Sequence, residues 1–247
     1  EKASAGYYSV IKKDDVLVEL TASERVAFHR YTFPSRQANV VVDFQHGIRF
    51  LTDSLVLDSD VRIEDQQTIS GYCHTKNWVE RKFFFVLQFD RPILTTKRLP
   101  RRPGAQAPTY DLSFQLNDSK VLQVKIALST VDVAGAKRNL KTEVPHWHFD
   151  TVRQRAEQVW NQYLGRIDIE AGDAQKAIFY TALYHLLLQP ANIADTDGRY
   201  RGADDRVALA PDRVYYSTLS IWDIYRGAFP LLQIVAPERI NGIVQSM

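Results

Sequence analysis

The sequence predicts a multidomain, β-then-α protein: an antiparallel β-sandwich followed by helices. Short segments rich in β-branched and aromatic residues recur every 8–14 residues from residue 6 to about residue 130. That spacing suits an antiparallel sandwich rather than βαβ units. After Thr130 the apolar period changes to a helical one. Runs of strands followed by runs of helices indicate separate domains.

The expected strands are Tyr7–Ile11, Val16–Thr21, Val26–Phe33, Asn39–Phe44, Ser54–Ile63, Thr68–His74, Lys82–Phe89 and Val121–Ser129. Lys-Asp-Asp, Ser-Glu and Pro-Ser turns punctuate the first four. Lys82–Phe89 is apolar on both faces, as a central strand covered on each side would be. Leu99–Pro108 holds three prolines and two arginines in ten positions and reads as an exposed loop.

Val133–Leu140 predicts a short helix. Asp150–Ile167 predicts a longer one, with Val152, Ala156, Val159, Trp160, Tyr163, Leu164 and Ile167 on one stripe and Asp150 as N-cap. Asp173 is placed to cap a helix over Ala174–Gln189, ended by Pro190, with Ile178, Ala182, His185 and Leu186 sharing its inner face. A third helix is expected from near Ser220 to Val235, and Pro237 begins a fourth. The expected organisation is a sandwich over 1–130, a helical linker over 131–170 and a further helical unit over 171–247.

Hydrophobic residues make up 45% of the 247 and charged residues 24%, so a real core is available. A net charge of +2 argues against a dedicated nucleic-acid or membrane-surface binder. The single cysteine, Cys73, excludes an internal disulfide and fits a reducing compartment or a bacterial periplasm. No apolar run approaches the roughly 18 residues of a membrane span. Glu1 is not a methionine, and apolar residues at 240, 243, 244 and 247 continue a helical spacing to the last residue, so an internal piece of a longer protein is expected.

Asp195-Thr196-Asp197-Gly198 resembles the start of some calcium loops, yet the glycine comes two positions early for an EF-hand and no Glu stands at the twelfth position. The plainer reading is a turn. His146 and His148 could face one metal but lack a third ligand nearby, so a structural role is expected. His185 reads as a satisfied core residue and Cys73 as an inert one. No nucleophile-elbow, P-loop, dinucleotide-binding or CxxC motif is present.

The stretch Tyr215-Tyr216-Ser217-Thr218-Leu219-Ser220-Ile221-Trp222-Asp223-Ile224-Tyr225-Arg226 permits two readings. It is a helix start that buries Trp222 and pairs Asp223 with Arg226, or it is a wall of a polar-ligand pocket. A Trp beside a carboxylate can hold a sugar: the ring face packs on C–H groups while the carboxylate accepts hydrogen bonds from hydroxyls.

Several segments, in order, resemble glycoside hydrolase family 92. They are Pro145-His146-Trp147-His148-Phe149-Asp150-Thr151-Val152-Arg153, Val159-Trp160-Asn161-Gln162-Tyr163-Leu164, Phe179-Tyr180-Thr181-Ala182-Leu183-Tyr184-His185, Asp195-Thr196-Asp197-Gly198-Arg199-Tyr200-Arg201-Gly202, Tyr215-Tyr216-Ser217 and Ser220-Ile221-Trp222-Asp223-Ile224-Tyr225-Arg226. Upstream, Leu20–Arg25, His29–Pro34 and Ile69–Tyr72 are similar to the same family's N-terminal sandwich. The resemblance implies a sandwich joined by linker helices to an (α/α)6 barrel, of which this chain holds the first helices. It implies calcium-dependent, inverting, exo-acting hydrolysis of α-mannosides by exported bacterial enzymes, periplasmic or secreted. It places Trp222 and Asp223 in the mannose pocket wall, with Asp223 on sugar hydroxyls.

The family's general acid, a downstream Glu, is missing here. So are its base, an Asp in a late Gly-Asp-Glu-Asp-Asn-Gly-Gln-Met-Ser-Ala-Trp motif, and a first segment rich in Gly and His. No catalytic residue and no calcium ligand is therefore assigned, and the expected partners are α-mannoside glycans and the remainder of the polypeptide. A non-catalytic carbohydrate-binding or scaffold sandwich, and a purely structural sandwich with interaction loops, are the competing readings.

Overall fold

The computed structural model describes residues 1–45, 56–76, 80–100, 106–210, 212–217 and 221–247. His46, the expected strand start at Ser54, the middle of the proline-rich loop and the expected helix start at Ser220 lie outside these residues. The strands up to Ser129 are β1 (Lys2–Ser4), β2 (Tyr7–Ile11), β3 (Leu17–Ala22), β4 (Val26–Thr32), β5 (Gln37–Asp43), β6 (Val56–Ile63), β7 (Thr68–Lys76), β8 (Glu80–Phe89), β9 (Ile93–Arg98), β10 (Thr109–Gln115) and β11 (Val121–Ser129). Then come α1 (Val133–Glu143), α2 (Phe149–Leu164), α3 (Asp173–Leu188), a small hairpin of β12 (Arg199–Arg201) and β13 (Val207–Leu209), α4 (Ile221–Ile224), α5 (Ala228–Val235) and α6 (Pro237–Gln245).

Among the described residues an eight-stranded sheet runs β1-β2-β3-β4-β11-β8-β7-β6 and faces a three-stranded sheet, β5-β10-β9. Paired neighbours are antiparallel, and the long-range pairing of β4 with β11 sets Phe28 opposite Lys125. Successive side chains alternate faces along a strand. Phe85, Leu87 and Phe89 of β8, with Leu122 and Val124 of β11, therefore meet Leu112 and Phe114 of β10 in the sandwich core. The opposite face is covered by helices. Val86, Ala127, Val26 and Phe28 pack against Ala136 and Leu140 of α1 and Phe149 and Val152 of α2. β8 is thus a central strand with both faces covered over Phe85–Leu87.

Lys125 projects into that second layer and is 2% exposed. Its Nζ donates to the Val144 carbonyl at 3.0 Å and sits 3.9 Å from the Trp147 ring centre. Burial lowers its pKa to about 8.

Two strands and several helix details differ from the sequence reading. β9 and β10 flank the proline-rich loop, and β10 is the central strand of the smaller sheet. Asp150 is not an N-cap. It lies in the first turn of α2, where the helix dipole favours it and Arg30 binds it at 2.9 Å. Val159 is 47% exposed, and Ile167 lies past the helix end. Asp173 is the first residue of α3, behind Gly172 at the cap position. The buried face of α3 is Leu183 and Leu187, turned toward Leu232 and Val235 of α5. His185 is exposed, not a core residue, because the helix directs Leu183 and Leu187 inward instead.

The expected continuous helix to Val235 is broken into α4 and α5. Pro230 explains the break: inside a helix running from residue 221 it would lack a donor and clash with the Arg226 carbonyl. In the first turn of α5, where backbone donors are unpaired anyway, it is tolerated.

Candidate functional site

Asp195 organises the junction between the sandwich and the segment leading to Trp222. It is 1% exposed. Its Oδ2 accepts from Ser129 Oγ at 2.8 Å and its Oδ1 from Asn139 Nδ2 at 2.8 Å. Burial raises its pKa, partly offset by those two bonds. The fit leaves no space for a side chain at residue 135, where a Cβ would stand 2.1 Å from Asp195 Oδ2. Asn139 Oδ1 in turn accepts from the backbone and hydroxyl of Thr196.

Further bonds lace the same loop to the sandwich. Arg25 Nε donates to the Ala194 carbonyl, Thr130 Oγ1 to the Ile193 carbonyl, and Arg201 to the carbonyls of Thr130 and Val131. Asp197 pairs with Arg138 at 2.7 Å and Arg199 at 2.9 Å. The Gly198 amide donates to the Asp195 carbonyl, closing a turn before β12. The Asp195–Gly198 loop is therefore a structural turn. Among the described residues no group of three or more His, Cys, Asp or Glu is arranged to hold a metal.

The loop hands over to an antiparallel pairing of residues 191–193 with 215–217. Ile193 N donates to the Tyr215 carbonyl and Ser217 N to the Ala191 carbonyl, each at 2.8 Å. The Tyr200 and Tyr215 rings stack 3.7 Å apart. Beyond it, α4 carries the two residues singled out from the sequence. Trp222 is 86% exposed and Asp223 is exposed. No hydrogen bond or ion pair joins Asp223 to another described residue, and Arg226 lies over the Tyr225 ring at 5.3 Å. The reading of a buried Trp and an Asp223–Arg226 pair is thus not met. The two side chains stand open on one turn of helix.

Trp147 packs edge-on against Phe28 at 5.9 Å, and the His146 and His148 rings stack on each other at 5.0 Å. Cys73 packs against the sandwich core, where burial lifts its thiol to about 11 and keeps it protonated. Sequence reasoning missed the Ser129–Asn139–Asp195 cluster, whose members are separated by 56 and 66 residues from Asp195. Local pattern carries no sign of such a contact.

The comparisons agree along the whole chain. Residues 1–129 match the glycosyl hydrolase family 92 N-terminal domain, and residues 135–247 match the family 92 catalytic domain. An uncharacterized secreted glycosidase of Arthroderma benhamiae is 26% identical over 220 residues, 76% of this chain and 28% of that protein. A family GH92 alpha-mannosidase from Bacteroides thetaiotaomicron, solved alone and with mannoimidazole, is 30% identical with a TM-score of 0.87, over 98% of this chain and 34% of that one. An inverting GH92 mannosidase from the same organism shares the fold, with a TM-score of 0.86 at 24% identity, over 99% of this chain and 34% of that one. This chain therefore spans about a third of its solved relatives' length, and it belongs to glycosyl hydrolase family 92.

Proposed function

We propose that this chain forms the sandwich and first barrel helices of an inverting exo-α-mannosidase, and that Trp222 and Asp223 line its mannose site. The carrying observation is the pair itself: a Trp ring left 86% exposed beside an exposed carboxylate, on a scaffold shared with α-mannosidases. The indole face packs on sugar C–H groups, and the carboxylate accepts hydrogen bonds from adjacent hydroxyls. The relative solved with mannoimidazole supports a mannose-like ligand. The match of residues 135–247 to a catalytic-domain model favours an enzyme over a non-catalytic carbohydrate-binding scaffold.

In this reading Asp223 binds and orients the sugar and transfers no proton. Inversion uses a separate acid and base about 6.5–9.5 Å apart with a water between them, supplied by other parts of the polypeptide. Calcium enters as the cation implied by the family resemblance. The described residues do not assemble a site for it: both oxygens of Asp195 accept protein donors, and Asp197 is paired with two arginines. Export from the cell is supported by the likeness to a secreted glycosidase. Among the described residues no helix is long and apolar enough to cross a membrane.

The test is Asp223→Ala in the full-length enzyme. Losing hydrogen bonds to a charged group costs about 1.5–3 kcal/mol, so kcat/KM on an aryl α-mannoside should fall about tenfold to a hundredfold. An unchanged kcat/KM removes Asp223 from the site.

A further inference from the structure

A cleft of about 550 Å³ opens between two hairpins that lie far apart in the chain. One wall is the β7–β8 hairpin, with His74, Glu80 and Lys82. The other is the end of β12 and the turn after it, with Arg201, Ala203 and Asp205. The first wall belongs to residues 1–129 and the second to residues 135–247, so the cleft lies where the two matched domains meet. Ligand sites favour domain boundaries and volumes of about 300–1,000 Å³.

Both walls are held before anything binds. β7 and β8 pair from Thr68↔Gln88 to Lys76↔Glu80, with His74 opposite Lys82. Directly paired residues share a face, and alternation puts Lys82 on the same face as Val86, which packs under the helices. Nearer the hairpin end that face borders the cleft. Across from it, Arg201 donates from Nε to the Thr130 carbonyl and from Nη2 to the Val131 carbonyl, each at 3.0 Å, and from Nη1 to the Asp205 carbonyl at 2.8 Å. One side chain thus pins the turn to the end of the sandwich. The Gly202 amide closes the turn on the Arg206 carbonyl at 2.9 Å. Asp205 sits there at a φ of 61°, a conformation that Asp adopts more readily than most residues. Walls fixed in this way cost a ligand little ordering.

The chemistry of the walls selects among ligands, because carboxylates and cations alternate along them. His74 Nε2 lies 3.0 Å from Glu80 Oε1, and Arg201 Nη1 lies 3.3 Å from Asp205 Oδ1. Lys82 Nζ stands 4.9 Å over the Tyr72 ring. An apolar ligand would have to strip water from these charged groups. A phosphate would meet the Glu80 and Asp205 carboxylates, which repel it. A sugar hydroxyl both donates and accepts, so neighbouring hydroxyls bond a carboxylate and a cation at once. Glu80 and Asp205 are exposed and keep oxygens open to such donors. Bonds to an ionised acceptor are about twice as strong as neutral ones.

We propose that this cleft is a carbohydrate-binding site that holds part of a glycan by its hydroxyls, with Glu80 and Asp205 as acceptors and Lys82 as a donor. The choice of a mannoside as that glycan rests on the function proposed above. The cleft itself does not rest on Trp222 or Asp223.

Calorimetry on the full-length enzyme tests it. α-Mannotriose is titrated while mannoimidazole saturates the mannose site and so prevents hydrolysis. Wild type should still bind the trisaccharide. Ala203→Trp puts an indole into the cleft from an exposed turn, so Tm should stay near wild type while affinity falls at least about tenfold. Glu80→Gln with Asp205→Asn keeps the shapes and removes the charges, and should weaken binding about fivefold to tenfold. That double variant decides the matter if the tryptophan variant fails to fold. Wild-type affinity in the folded variants, or no binding once mannoimidazole is present, overturns the proposal. So does a cleft that takes inorganic phosphate and not the trisaccharide. If mannoimidazole binds wild type and Asp223→Ala alike, the reading of Trp222 and Asp223 fails, and the trisaccharide titration still decides the cleft.

Discussion

Phe28, Ile69, Leu112 and Leu122 of the sandwich are 0% exposed, whereas Ile178, Ile234 and Trp222 of the helical segment stand 72%, 75% and 86% exposed. The strands bury a core between two sheets and under α1 and α2, while Ile11, Val41 and Leu94 at 67%, 59% and 59% stay exposed. The later helices bury one seam, Leu183 and Leu187 on Leu232 and Val235, and leave other faces open. An apolar trough of about 360 Å³, lined by Ile167, Phe179, Ala182, Leu183, Leu186 and Leu231, runs along α3 and α5. One region is a finished core and the other presents surfaces, which suits the proposed barrel with further helices packed on them.

The largest effect should come from the sealed side. Phe114 is 1% exposed and its ring centre lies 5.0 Å from that of Phe89. Phe114→Ala should cost about 3–5 kcal/mol in a urea unfolding experiment, from lost burial and a residual cavity. The junction should be intermediate. Asp195→Ala removes the acceptor of the Ser129 hydroxyl and one of the two acceptors of Asn139 Nδ2, and should cost about 1–3 kcal/mol.

Two titratable groups, half-buried His29 and buried Lys125, give the sandwich a pH signature. His29 is lowered to about 4 by burial, while the unfolded histidine titrates near 6.5. The unfolded chain then binds more protons as pH falls from about 6.5 to about 4, so stability drops across that window, and His29→Gln should flatten it. Lys125 is lowered to about 8 from 10.5. Between those values the unfolded chain again binds more protons, so this group makes stability rise with pH, and Lys125→Met should remove that rise. Equilibrium unfolding at stepped pH reads both.

The smallest effect belongs to the open side. Ile178→Ser with Ile234→Ser should change the stability of residues 1–247 by no more than about 0.5 kcal/mol each, as surface substitutions do. The same pair should lower the ANS fluorescence that the open faces produce. A well-folded, monomeric 1–247 chain that binds no ANS would contradict the contrast between the two regions.

The sandwich was largely legible because alternation is a local property. Tyr7–Ile11 and Val121–Ser129 form strands with the expected bounds. β10 carried the same signature, buried Leu112 and Phe114 alternating with Asp111 and Ser113, yet no strand was expected between the proline-rich loop and Val121. α3 was legible as a helix but not in its facing. Ile178, Phe179, Leu183, Leu186, Leu187 and Leu188 leave little polar contrast around it, so the partner α5 decides which side is buried. Pro230 could have located the break after α4. The exposure of Trp222 was not legible, because residue type favours burial and only the tertiary surroundings leave it open.

The central claim is that Asp223 binds mannose and does no proton transfer. Titration calorimetry of mannoimidazole into the full-length enzyme and its Asp223→Ala variant tests it most directly. The account predicts affinity weakened about tenfold or more, with the pH dependence of kcat unchanged. Equal affinities for the two proteins, or a kcat profile that loses one limb in the variant, would contradict it.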